Sequence, residues 1–246
     1  SHSSNALRRL EGVDMELQRN KLVNLRLASA QINWLVVQPG ETFSFWKLVG
    51  EPSAKRGYLD GLVISAGKIG RGVGGGLCQL ANLIHWLVLN SPLTVTELVH
   101  HSDALFPDSG RRVPFGTGTS VFYKNVDYRF KNTSDRPVQL LVWLDESALY
   151  GELRAQEPFP YIYRITEEDQ GYIEEDGEFF RVSQGGDVRS IMEQQGQFVC
   201  MRDSVNGRYN PQNVWNMDPE DIHYEIADWA LAGNTLNAVG ESLFFF

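Results

Sequence analysis

Apolar residues recur at Leu22, Leu25, Ala28 and Ile32 behind Asp14, a good helix-capping residue, and this spacing predicts a helix over residues 15–32. Leu80, Leu83, Ile84, Leu87 and Val88 repeat the spacing and predict a second helix over 80–89, ended by Asn90-Ser91-Pro92. Between the two helices the pattern changes. A short strand over 34–37 runs into the turn Gln38-Pro39-Gly40-Glu41, Thr42-Phe43-Ser44-Phe45 alternates as a half-buried strand does, and 62–65 reads as a buried strand. Beyond the second helix, strands are predicted over 94–99, 120–123, 127–130, 138–143 and 150–154, with a loop rich in Gly, Pro and Arg over 107–118. Helices set among strands with short connections predict an α+β fold with a mainly antiparallel sheet.

The character of the chain changes after about Gln156. Acidic clusters, Glu167-Glu168-Asp169 and Glu174-Glu175-Asp176, surround short aromatic strands, and a short helix is expected within 218–228. The division read here is a core domain over 7–155 and a smaller acidic C-terminal appendage over 156–246. Residues 1–6, Ser-His-Ser-Ser-Asn-Ala, look like an expression scar and are set aside from the fold. The tail Leu243-Phe244-Phe245-Phe246 is too short for a membrane anchor, and no segment reaches the roughly 18 apolar residues that a span needs.

Composition narrows the function. A chain of 246 residues with 42% hydrophobic and 22% charged content is long enough for a sizeable core. A net charge of −9 argues against a general nucleic-acid binder. Two cysteines, Cys78 and Cys200, make neither a disulfide framework nor a zinc cluster, and nothing calls for a metal or a cofactor.

The chemistry centres on Gly74-Gly75-Gly76-Leu77-Cys78-Gln79, at the start of the second helix. Glycines let a backbone approach a ligand closely. A thiol in a first helical turn faces unpaired amides and the positive end of the dipole, so it is expected to ionise more easily and act as a nucleophile. Acyl transfer further needs a base, a group to orient it and donors for the oxyanion. His100 and His101 end the strand that follows the helix; adjacent strand residues face opposite sides, so one at most faces Cys78. Asp127, or Asn132 at a strand end, is the candidate to orient that histidine, and amides at the helix start, with Gln79, are the candidate oxyanion donors. His85 lies two turns along the helix from Cys78, about 10 Å away, and reads as packing. A rival pattern overlaps the loop: Gly70-Arg71-Gly72-Val73-Gly74-Gly75 fits the dinucleotide motif, with Glu97 about 20 residues on.

With these residues in view, the chain resembles the VanW family from about Asn20 to Arg154. The resemblance rests on Pro39-Gly40-Glu41-Thr42-Phe43-Ser44-Phe45, Val49-Gly50, Arg56-Gly57-Tyr58, Gly61, the glycine–cysteine run, Glu97, His101-Ser102 and Asp127-Tyr128-Arg129-Phe130-Lys131-Asn132. Leu98 stands where family members often carry Arg, and Thr117 and Gly118 where many have an Arg-Asp pair. The resemblance implies a cysteine-dependent L,D-transpeptidase acting on a peptidoglycan stem peptide or precursor. In that reading Cys78 is the nucleophile, His101 the base and Asp127 its orienting group, while Gly75, Gly76, Gln79 and Ser102 line the substrate or oxyanion site. The alternative is a non-catalytic module that holds the same peptide at the helix start. The compartment follows the substrate: envelope-facing if it is peptidoglycan, otherwise cytoplasmic.

Overall fold

A computed structural model describes residues 1–7, 14–65, 68–99 and 118–159, and gives the backbone alone for strands between 162 and 209. The chain divides into two compact units, the first comprising Ser1–Val99 and Thr119–Ile162.

The first unit is built on a four-stranded antiparallel sheet in the order β1-β9-β8-β2, where β1 is His2–Ala6, β2 Leu35–Val37, β8 Val138–Leu144 and β9 Ala148–Arg154. β1 is made of the residues set aside as a scar, which pair with β9 from His2↔Glu152 to Ala6↔Ala148. Helix α1, Met15–Ile32, begins where Asp14 caps the Glu16 amide at 2.8 Å and buries Leu25, Ala28 and Ile32 completely. Helix α3, Cys78–Leu89, is buried almost all round, and its Leu83 and Leu87 lie against Gly151 of β9, where a Cβ would come within 2.7 Å of Leu87 Cδ1. Each fully buried Leu or Ile on these two helices contributes on the order of 1.5–3 kcal/mol.

A second, three-stranded antiparallel sheet has the order β3-β7-β6, with β3 Thr42–Ser44, β6 Thr94–Glu97 and β7 Arg129–Lys131. Phe43 and Phe130 stack across β3 and β7 with centroids 4.6 Å apart. The alternation through Thr42–Phe45 stops one residue earlier than predicted. Ser44 accepts from the Lys47 amide at 3.2 Å and starts a short helix α2, Phe45–Val49, that periodicity over so few residues does not reveal.

The glycine segment also departs from expectation. Residues Lys68–Val73 form β5, which pairs antiparallel with β4, Asp60–Ser65. Gly70 and Gly72 are therefore strand residues of a hairpin, opposite Val63 and Gly61. A dinucleotide turn joins a strand directly to a helix inside a parallel unit; here the strand before α3 belongs to an antiparallel hairpin, which overturns that reading.

In the second unit the described strands form two arrangements, β10-β13-β14 and β11-β12-β15, in which β13 pairs antiparallel with β14, and β12 with both β11 and β15. These are β10 Ile162–Thr166, β11 Gly171–Glu175, β12 Glu178–Ser183, β13 Asp187–Gln194, β14 Gln197–Ser204 and β15 Gly207–Tyr209. The helix expected within 218–228 lies outside the described residues. No helix among the described residues is long and apolar enough to cross a membrane.

Candidate functional site at the start of helix α3

The turn before Cys78 is shaped by close approaches that exclude side chains. Gly75 faces Gly61 of β4 backbone to backbone: a Cβ on Gly75 would sit 2.3 Å from the Gly61 carbonyl carbon. Gly74 and Gly76 have φ of +80° and +93°, a region costly to residues with a Cβ. Asn24, completely buried on α1, fastens the turn: its Nδ2 donates to the carbonyls of Leu59 and Gly75, both at 3.0 Å, and its Oδ1 accepts from the Leu59 amide at 2.9 Å. One helical turn earlier, Lys21 lies across the same loop, its Cγ 2.6 Å from where a Gly76 Cβ would stand.

Cys78 is the first residue of α3, half-buried and unbridged. Its thiol donates to the Val121 carbonyl at 3.6 Å. One turn on, Asn82 Oδ1 accepts from the Thr119 amide at 2.6 Å, so the segment 119–121 runs along α3 beside the cysteine. The Ser120 amide in turn donates to the Val99 carbonyl at 2.8 Å.

The thiol does not have the depressed pKa that its helix position suggests. Burial pushes it above the ordinary cysteine value, opposed only in part by backbone hydrogen bonds and the nearby charge of Lys21. Desolvation outweighs those opposing effects, because the charged form gives up its hydration on burial. Lys21 shows the converse: burial lowers it to about 8, while the Cys78 thiolate would raise it. Sequence reasoning missed Lys21, which on an amphipathic helix reads as a solvated charge.

His100, His101 and Ser102 lie outside the described residues. Asp127 is buried, and its carboxylate is fully engaged by donors from β3, α2, β7 and the residue before β7. Oδ2 accepts from the Ser44 hydroxyl at 2.6 Å and Arg129 Nε at 2.8 Å; Oδ1 accepts from the amides of Trp46 at 3.0 Å and Tyr128 at 2.9 Å. A carboxylate offers about four acceptor sites, and these four donors occupy them. Asn132, the other orienting candidate, donates to the Val37 and Arg136 carbonyls, both at 2.9 Å, and accepts from the Ser134 hydroxyl at 2.6 Å. The amides of Gly75 and Gln79 donate to Gly72 at 3.1 Å and Gly76 at 3.2 Å, and the Gln79 side chain donates to the Ala6 carbonyl at 3.1 Å. His85, buried in the body of α3, meets the Tyr128 hydroxyl at 3.2 Å, a packing role as expected.

Several of the motif residues outside the glycine run lie on β3, β6 and β7. Glu97 pairs with Arg129 at 3.2 Å, Arg129 with Asp127, and Asp127 with Ser44, one charged line across three strands.

These features define an α+β protein whose glycine turn, crossed by the Lys21 stem of α1, leads into a cysteine at the start of α3. Residues 20–154 match the family described as VanW like protein, and the chain belongs to that family. It is 35% identical over 166 residues to the vancomycin B-type resistance protein VanW of Enterococcus faecalis, covering 68% of this chain and 60% of that protein. It is 31% identical over 115 residues to the uncharacterized protein YoaR of Bacillus subtilis, covering 47% of this chain and 36% of that protein. The chain therefore spans less than two thirds of either relative. No solved structure matches it.

Proposed function

We propose that this protein is a cell-wall-associated acyl transferase that uses Cys78 on peptidoglycan stem peptides in the manner of an L,D-transpeptidase. The observation that carries the reading is the placement of Cys78: the first residue of a buried helix, behind a turn clamped by Asn24. The peptidoglycan substrate comes from the family resemblance. In this reading the sulfur bonds to a stem-peptide carbonyl carbon, the amide C–N bond breaks and the amine leaves with a proton. A second amine, or water, then resolves the thioester. His101 is the base that the motif order puts forward.

Intact-protein mass spectrometry after incubation with muropeptides or a carbapenem tests the reading. The expected result is a covalent adduct on the wild-type chain that is absent from Cys78→Ala. The absence of any adduct, over a pH range extending above 8, overturns it.

One observation favours a second reading. A thiol held neutral by burial and bonded to Val121 suits a module that grips a stem-peptide carboxylate at the helix start without chemistry. Muropeptide binding that survives Cys78→Ala, with no adduct on the wild type, selects this alternative.

A further inference from the structure

We propose that the edge of β9 beside α3 is a strand-acceptor site, which takes an extended segment of a partner polypeptide by main-chain pairing. β1 displays this mode of binding within the chain. The inference stands apart from the chemistry of Cys78. β1 is held chiefly by its backbone. Ser1 and Leu153 exchange both main-chain bonds, at 2.9 and 2.8 Å, and the Leu7 amide donates to the Ser147 carbonyl at 2.8 Å. The register between these ends is unbroken, so Ser3 and Asn5 meet Gly151 and Leu149 as bonded pairs. The amides of His2, Ser4 and Ala6 then point away from β9. α3 grips the two ends: the Leu87 carbonyl accepts from the Ser1 hydroxyl at 3.2 Å, and the Gln79 side chain donates to the Ala6 carbonyl at 3.1 Å.

β1 brings no large apolar side chain to this slot. Ser3 and Asn5, opposite Gly151 and the buried Leu149, are only half-buried, and the exposed His2 adds a contact to Glu152 at 3.6 Å. Residues that the sequence sets apart from the core thus find one register, which is how a slot behaves when it reads main chain. The edge itself is open to pairing. β9 is 7 residues long, runs against β8 without a register shift, and carries neither proline nor lysine. Bulges, prolines and lysines are the devices that keep an edge strand from adding a partner. β2, at the opposite edge, is only 3 residues long. β1 also leaves its slot incompletely satisfied, because Gln79 Oε1 is buried and has no donor among the described residues. The occupant that fits is an extended segment with small polar side chains opposite Gly151 and Leu149, and a donor at its Gln79 end.

The test uses the full chain and a fluorescently labelled peptide, Ser-His-Ser-Ser-Asn-Ala-Leu, followed by anisotropy. Ser3→Pro removes the amide that faces Gly151 and frees the slot, whereas Ser4→Pro removes one that faces away and leaves the slot filled. The expected result is binding to Ser3→Pro about tenfold or more tighter than to the wild type or Ser4→Pro, the scale of one lost bonded pair. A methyl group on the Ser3 nitrogen of the peptide should abolish that binding, and one on the Ser4 nitrogen should be tolerated. A folded Ser3→Pro chain that ignores the peptide overturns the proposal, as does binding indifferent to the position of the methyl group. Thermal melts report folding, and Asn5→Pro, which removes the amide facing Leu149, replaces Ser3→Pro if that chain is unfolded. If neither folds, β1 is an integral strand and the proposal fails. A wild-type chain that light scattering shows as a dimer, and Ser3→Pro as a monomer, makes a second copy the occupant and overturns the partner assignment.

Discussion

Gly75→Ala is expected to destabilise the first unit by about 3 kcal/mol or more, at or beyond the upper end of ordinary overpacking. The new Cβ would lie 2.3 Å from the Gly61 carbonyl carbon and 2.6 Å from its oxygen, and both atoms belong to strand β4. No side-chain end is available to swing aside. Relief requires the turn and the hairpin to separate, which pulls the Gly75 carbonyl from Asn24 and the Gly74 amide from Leu59. Gly61→Ala should cost a similar amount, because its Cβ would meet the Gly75 oxygen at 2.6 Å. Gly70→Ala is the control: its Cβ would touch only Val63 Cγ2 at 3.6 Å, ordinary contact, and its loss of stability should stay under about 1 kcal/mol. Urea unfolding of the three variants checks the ranking. Equal midpoints for Gly75→Ala and Gly70→Ala would show that the Gly61–Gly75 approach is not a constraint.

That approach also explains what the sequence could and could not tell. The run Gly74-Gly75-Gly76 reads as a loop kept bare for a ligand, yet what meets Gly74, Gly75 and Gly76 is Pro52, Gly61 and Lys21 of the same chain. A glycine signals that something comes close; only tertiary structure says what. Helix α1 was legible to the residue because Asp14 and the Leu25, Ala28, Ile32 stripe agree, cap with periodicity. α2 was not, since five residues carry no period and its start depends on a Ser44 hydroxyl that serves the Lys47 amide and Asp127 at once. Hairpin β4–β5 was half seen: Leu62-Val63-Ile64 announces a strand, but its partner Lys68–Val73 is too rich in glycine to do so.

The cysteine at the helix start was legible in the sequence, and its surroundings were not. Cys78 stands out by local context alone, a helix start after glycines. Lys21 is 57 positions earlier, and its relation to Cys78 exists only because α1 packs on β4 and the turn between β5 and α3. Asp127 was singled out by chain order, as an acid following the histidines. The structure places it where Ser44, Trp46, Tyr128 and Arg129 all donate to its carboxylate. Ordering along a chain carries little information about which of several polar residues reach a given sulfur.

Asp127→Ala should therefore lower stability by about 3 kcal/mol at neutral pH, the scale for removing one partner of a buried charged network. The loss comes less from the Arg129 ion pair, whose guanidinium is 48% exposed and well screened, than from the donors left behind. The Ser44 hydroxyl and the amides of Trp46 and Tyr128 would lose a charged acceptor, each such bond being worth about 1.5–3 kcal/mol before partial rescue by water. β3, α2 and β7 all meet at this carboxylate, so the damage should spread along the β3–β7 pairing. The pH dependence has a definite sign. Burial alone would raise the Asp127 pKa, but the Ser44 and Arg129 side chains and the two amides outweigh it and hold the carboxyl below its ordinary value. A depressed folded-state value means that the stabilisation is complete above the unfolded carboxylate range, near 4, and is lost as pH falls through the lower folded value. Urea midpoints of wild type and Asp127→Ala should thus differ by a constant amount from pH 5 to 8 and draw together below about pH 4. Comparing the two chains cancels Asp145, which is also held low by its bonds to Ser147 and Ala148. A gap that stays the same at pH 3 as at pH 7 would show that the Asp127 side chain stabilises the fold by packing and not by its charge.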